Sequence, residues 1–235
     1  MLNSMSSMIL LLKYFYVNQG LTNVSILLVS FYNMKSDTVQ LILVRHGETH
    51  ENAAGIVQGQ LPGTLSVKGI IQAEAVGSFL STHNINAIFT SDLARAWDTA
   101  RIISASFPSI AVVADPRLRE QHLGRFQGGP VIRLLRVLKK EGVEMPSFDP
   151  EDGESAACLR GRVNEFLGLL SERYEGKTVC LVTHHGFIQM FLYIFASWTS
   201  STERAESGQN GVLTFVKFKN YEVSELWRVD CSKKR

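Results

Sequence analysis

The chain has 235 residues, enough to bury a full core in one domain without disulfide or metal staples. It is 45% hydrophobic and 20% charged, which excludes a disordered polymer, and its net charge of +2 is too mild for a surface built to neutralise a nucleic-acid backbone. Three cysteines at unrelated spacings, Cys158, Cys180 and Cys231, form neither a disulfide framework nor a zinc signature and fit a reducing compartment.

Residues 1–33 stand apart, with 20 apolar residues and one charge, Lys13. The apolar runs Met8–Leu12 and Ser25–Tyr32 fall short of the ~20 residues a membrane-spanning helix needs. There is no basic n-region with a small-residue cleavage site, and no arginine of a transit peptide. Three readings stay open: an upstream start codon with Met34 as the true start, a membrane anchor or targeting segment, or an extension packed on the body. Membrane association is expected only if this leader is real; otherwise a cytoplasmic protein is expected.

From residue 34 the composition is that of a soluble enzyme, and strands alternate with helices. Gln40–Val44 reads as a buried parallel strand, Ser66–Leu80 as a helix capped by Ser66, and Ala87–Thr90 as a strand. Asp92–Ser104 reads as a helix capped by Ser91 or Asp92, Ile110–Val113 as a strand, and Val131–Lys140 as a basic helix. Ser155–Tyr174 is the clearest helix, with Leu159, Val163, Phe166, Leu167, Leu170 and Tyr174 on one face and Gly176 ending it. Thr178–Val182 is a strand and Phe187–Phe195 a helix. Val212–Phe218 and Tyr221–Val229 alternate as a hairpin. This order predicts an α/β fold, a three-layer α/β/α sandwich whose sheet is mostly parallel with a C-terminal hairpin.

Two buried strands run directly into histidines: LILV into Arg45-His46-Gly47-Glu48-Thr49, and VCLV into Thr183-His184-His185-Gly186. In open α/β sheets the reactive crevice lies beyond the carboxyl ends of the strands, so both segments are expected to face it. Arg95 falls in the first turn of a helix, where backbone N–H groups and the dipole favour an anion, and Arg119-Glu120 follows a short strand. Two imidazoles, two guanidiniums and a carboxyl suit a phosphoryl group. Arginine binds phosphate oxygens in a fork at any working pH. Nearby guanidiniums keep an imidazole neutral and nucleophilic, and a carboxyl can protonate the leaving alkoxide.

Arg45-His46-Gly47-Glu48-Thr49, followed by Asn52, Gln58-Gly59 and Leu65-Ser66, resembles the opening motif of the histidine phosphatase superfamily, in its phosphoglycerate-mutase-like branch. Ser91-Asp92-Leu93-x-Arg95-Ala96-x-x-Thr99-Ala100, Leu118-x-Glu120 with Gly124 and Gly128, and Val182-Thr183-His184 resemble its later motifs, in the family's order. The resemblance implies one histidine phosphatase domain over 34–235 and a phosphohistidine on His46. It implies a phosphate pocket of Arg45, Arg95 and His184, assisted by Asn52, Gln58 and Gly59, with Glu120 as proton donor and acceptor and no metal or cofactor. The family has glycine where this chain has His185; aligning Thr183 makes His184 catalytic, and aligning His-Gly makes it His185. The segment from Phe148 through Gly153-Glu154-Ser155 is similar to fructose-2,6-bisphosphatases of the TIGAR type and to bacterial broad-specificity relatives. The implied activity is a phosphatase acting on a small phosphorylated metabolite, such as a sugar phosphate or fructose 2,6-bisphosphate. A phosphoglycerate mutase, a leader-tethered protein phosphatase or an idle binding module remain as alternatives.

In the helix Val131–Lys140, Arg133, Arg136 and Lys140 form a basic stripe expected opposite Ile132, Leu135 and Leu138. It is either a solvated face or a lid that attracts a second anionic group on the substrate. His46, His184 and His185 could hold a metal in principle, but no i,i+4 histidine pair or nearby carboxylate ligand supports it.

Overall fold

Val39–Arg45 (β1) is apolar and buried at Val39 and from Leu41 to Val44 because both of its faces are covered. In the computed structural model, which describes residues 38–195, 209–219 and 222–231, Leu41 and Leu43 join one core cluster while Ile42 and Val44 join another. That is the period-2 alternation of a central strand. The expectations for residues 1–33 lie outside the described residues, as do Asn220 and Tyr221 of the expected hairpin.

The remaining elements follow in chain order. They are α1 (His50–Ala53), α2 (Val67–Leu80), β2 (Ala87–Thr90), α3 (Ala94–Ser104), β3 (Val112–Ala114) and α4 (Val131–Glu141). Then come α5 (Ala156–Arg173), β4 (Thr178–Thr183), α6 (His185–Ile194), β5 (Val212–Lys219) and β6 (Glu222–Asp230). The sheet order is β3-β2-β4-β1-β5-β6. β1, β2, β3 and β4 pair in parallel, and β5 and β6 pair antiparallel. This is the expected mostly parallel sheet with a C-terminal hairpin.

Helices α5 and α6 pack one face through Leu159, Val163, Phe166, Phe187 and Phe191, all buried. Helices α2 and α3 pack the other through Val76, Leu80, Ala96, Ala100 and Ile103. Helix α2, the long helix between β1 and β2, and helix α6, which follows the neighbouring β4, therefore lie on opposite faces. Between such strands the loops part at the carboxyl edge and leave a crevice. Among the described residues, no helix is long and apolar enough to cross a membrane.

Three local expectations change. Helix α3 is not capped by Ser91 or Asp92: its N-cap is Leu93, with no side-chain cap bond, because the Asp92 carboxylate is taken by Arg119 at 2.7 Å. β3 begins at Val112 rather than Ile110, whose N–H closes a turn onto the Phe107 carbonyl at 2.9 Å. Helix α4 buries Leu134 and Leu138 against Phe126 and Phe148, while Ile132 and Leu135 stay half-exposed. The basic stripe is thus not simply opposite an apolar face of Ile132, Leu135 and Leu138. The caps of α2 and α5 follow the sequence, with Ser66 accepting from Gly69 N–H and Ser155 from Cys158 N–H.

Candidate active site

His46 follows β1 directly and is held there by its own backbone, whose N–H donates to the Thr183 carbonyl at 2.9 Å. Its ring is 2% exposed. Nδ1 lies 2.8 Å from the Gly47 carbonyl, and Arg95 Nε–H donates to Nε2 at 3.2 Å. A carbonyl can only accept and a guanidinium can only donate, so the network assigns the proton to Nδ1 and the lone pair to Nε2. Burial first, then the charges of Arg45 and Arg95, hold the ring's pKa well below the ordinary histidine value. The ring is neutral at physiological pH.

Two contacts fix the loop around it. Gly47 N–H donates to Thr99 Oγ1 at 3.0 Å, tying the loop to α3. Gly47 also packs against the backbone of Gly69 in α2 so closely that a side chain on either would collide with main chain.

Arg95 is 1% exposed. Nη1 donates to the Leu61 carbonyl at 2.9 Å and Nη2 to the Gly59 carbonyl at 2.6 Å, so three atoms of the fork are anchored and the guanidinium plane is set beside His46. Burial is the main reason its pKa falls to about 10; the Glu120 charge opposes that fall. It remains a cation at neutral pH.

Gly59, expected to touch substrate, lines the cavity and contributes the carbonyl that orients Arg95. Asn52 Oδ1 accepts from Thr49 N–H at 3.2 Å in the capping box of α1, and Gln58 Nε2 donates to Thr49 Oγ1 at 2.8 Å. Arg45, Asn52 and Gln58 line the cavity with His46 and Arg95.

His184 is the N-cap of α6 and is fully buried, its ring centroid 5.1 Å from that of His46. Neither ring nitrogen has a hydrogen-bond partner in the structure. Burial, then the charges of Arg95, His46 and Arg45, hold its pKa well below the ordinary value. His185 begins α6 and lines the cavity. The two adjacent histidines therefore diverge, one against His46 and one along the cavity wall.

Glu120 faces them from the loop after β3. Oε1 accepts from Gln121 N–H at 2.9 Å and Oε2 from Gly186 N–H at 3.1 Å. A Cβ at position 186 would collide with Glu120 Oε1, so glycine there is a requirement of the carboxylate's position.

Sequence reasoning missed the residue that holds this loop. Arg162 of α5 pairs with Glu154 (Nε to Oε1, 2.7 Å) and donates to the carbonyls of Arg117 at 2.8 Å and Glu120 at 3.1 Å. It donates to the Arg119 carbonyl as well. The available signal was a charge at a position between the core residues Leu159, Val163 and Phe166 of α5. From the other side Thr183 Oγ1 donates to the Leu118 carbonyl at 2.7 Å.

Among the described residues, no three His, Cys, Asp or Glu side chains cluster in a metal-holding arrangement. The set joins a neutral buried imidazole, two guanidiniums and a carboxylate in one cavity. That combination can accept a phosphoryl group, neutralise its charge and move a proton.

The model of the histidine phosphatase superfamily (branch 1) matches residues 41–230 of the chain. Fructose-2,6-bisphosphatase TIGAR of Xenopus tropicalis is 40% identical over 134 residues, 55% of this chain and 49% of that protein. The matched region thus spans about half the length of the TIGAR-type relatives. A metal-independent phosphoserine phosphatase of Arabidopsis thaliana is 33% identical over 177 residues, covering 72% of this chain and 73% of its own. A mycobacterial glucosyl-3-phosphoglycerate phosphatase structure is 28% identical with a TM-score of 0.67, covering 81% of this chain and 97% of that one.

Proposed function

The chain belongs to the histidine phosphatase superfamily, branch 1, and on that premise we propose that it hydrolyses a small phosphorylated metabolite through a phosphohistidine on His46. The observation that carries this reading is the His46 ring: buried, neutral, its proton committed to the Gly47 carbonyl and its lone pair turned toward Arg95.

In the first half-reaction Arg95 Nε–H passes from His46 Nε2 to a phosphoryl oxygen, and the freed Nε2 lone pair attacks phosphorus as the P–O bond of the ester breaks. Glu120 as the acid gives its proton to the leaving alkoxide. The Nδ1–H remains on the Gly47 carbonyl, which stabilises the imidazolium that forms. In the second half-reaction water attacks phosphorus, its proton passes to the Glu120 carboxylate, and the N–P bond breaks. Arg45 and Arg95 neutralise the phosphoryl oxygens throughout, a preorganised charge beside the His46 ring. His184 offers a donor from within 5.1 Å of the His46 ring, and Asn52 and Gln58 offer amides at the cavity edge.

The relatives' names span a sugar bisphosphate, phosphoserine and a glucosylated phosphoglycerate. Their common denominator, a small phosphate monoester, is the substrate class proposed, with fructose 2,6-bisphosphate as one member to test. His46→Ala is expected to abolish phosphate release from a chromogenic phosphate ester, with chelators having no effect on the parent chain. Undiminished turnover by His46→Ala would refute the assignment. Incubation with 3-phosphoglycerate separates hydrolysis from isomerisation: free phosphate is expected, and 2-phosphoglycerate in its place would make the chain a mutase.

A further inference from the structure

The cavity that holds His46 has two linings of different origin. The polar one is built from Arg45, His46, Arg95, Glu120 and His185, with Asn52 and Gln58 beside them. The other is apolar, with Leu123, Val131, Leu134, Leu135, Leu138 and Met145 among its residues. Leu123, Leu134 and Leu138 belong to one core cluster with Phe126 and Phe148, and Met145 packs against it, so this wall is continuous. Val131 and Leu135 stay exposed at the rim, Leu135 at 51%. Apolar side chains left open beside a catalytic cavity are surface that an apolar ligand group covers.

The charges tell the same story. Among the described residues lining the cavity, the permanent cations are Arg45 and Arg95, both beside His46, where the proposed mechanism uses them on the transferring phosphoryl group. Arg133, Arg136 and Lys140, the stripe that could have met a second anion, do not line it. All three are exposed, and the Arg133 guanidinium lies over the Phe126 ring, 5.7 Å from its centroid. A second phosphate lying on the α4 wall would have to shed water against leucine, with no cation of α4 in the cavity to offset that cost. The cavity volume of about 240 Å³ lies below the ~300–1,000 Å³ of sites for drug-sized ligands, room for a phosphate and one small group.

We propose that the preferred substrate is a monoester joining a single phosphate to a small apolar alcohol, alkyl or aryl, whose carbon body lies on the α4 wall. This rests on the phosphatase reading of the same site and narrows it. The chemistry is unchanged: His46 takes the phosphoryl group, the alcohol leaves with the Glu120 proton, and water completes hydrolysis.

The test compares n-butyl phosphate, glycerol 1-phosphate and fructose 2,6-bisphosphate with the full chain. The first two have leaving groups of similar size, both primary alcohols, and differ in polarity. Butyl phosphate is expected to show kcat/KM about tenfold above glycerol phosphate, the factor for burying two or so more methylene-sized groups, and above the bisphosphate as well. In Leu135→Arg the butyl-to-bisphosphate ratio is expected to fall at least about tenfold; a ratio within one variant is insensitive to partial misfolding. Equal or greater kcat/KM for glycerol phosphate or the bisphosphate would overturn the proposal while leaving the phosphatase reading intact. So would a ratio unmoved by Leu135→Arg. Release of phosphate from none of the three, with none retained on His46, would overturn both.

Discussion

Arg95 Nε lies 3.2 Å from His46 Nε2, so the anchored guanidinium and the buried imidazole share a hydrogen bond in which the imidazole must accept. Lysine at 95 would keep a charge but could not span His46 and the carbonyls of Gly59 and Leu61 in one plane. Arg95→Lys is therefore expected to lose about 10²–10³ in kcat/KM, the range for deleting one preorganised donor to a charged transition state. Steady-state kinetics on any accepted ester checks this; a loss below about threefold would mean that the fork geometry is dispensable.

Stability should depend on pH in a direction set by the two buried rings. His46 and His184 have pKa values held well below the ordinary value by burial and by Arg45 and Arg95. In the unfolded chain both titrate near 6.5, so below that pH the unfolded state binds more protons than the folded one. Folding stability is fully present above about pH 6.5 and falls as the pH drops, by up to ~1.4 kcal/mol per pH unit for each ring. Urea unfolding between pH 7.5 and 5 should show this slope, and His46→Asn should flatten it. An equal slope in the variant would contradict the burial account.

Glu120 is expected to matter in proportion to the basicity of the leaving group. Glu120→Gln should slow hydrolysis of an alkyl phosphate by about 10²–10⁴, the usual contribution of a general acid. A phenyl ester carrying nitro groups departs without a proton and should be slowed far less in the first half-reaction. Single-turnover rates on the two esters make the comparison; equal losses would point to a structural role for the carboxylate.

The supports of Glu120 are testable separately. Gly186→Ala puts a methyl group into Glu120 Oε1, and Arg162→Ala removes the hydrogen bonds to the Arg117, Arg119 and Glu120 carbonyls and both of those to Glu154. Both should lower kcat with little change in KM and shift the pH profile of kcat. Arg162→Lys should restore part of the loss by keeping the pair with Glu154. A change in KM alone, with an unmoved pH profile, would sink the positioning role.

What could be read ahead of the structure follows from the range of each interaction. His46 and His184 were legible because a buried strand ending in histidine is a local signal, and the sheet brings β1 and β4 side by side in register, Arg45 opposite Thr183. Arg162 was not, because it acts on backbone carbonyls more than forty residues away, which no local pattern encodes. Asp92 misled the cap assignment for the same reason: its carboxylate reaches Arg119 across 27 positions rather than its own helix. The polarity of α4 was misjudged because the helix packs on Phe126 and Phe148, not on the sheet. Gly59, expected in the phosphate site, lines the cavity, and its carbonyl accepts from Arg95, a long-range contact that no local pattern encodes.

The phosphohistidine itself is the most direct measurement. The chain is mixed with a 32P-labelled ester, quenched in alkali within one turnover, digested and sequenced. The account predicts one acid-labile, alkali-stable phosphoryl group on the peptide containing His46, absent from His46→Ala and longer-lived in Glu120→Gln. Steady turnover with no label on His46, or with the label on another residue, would contradict it.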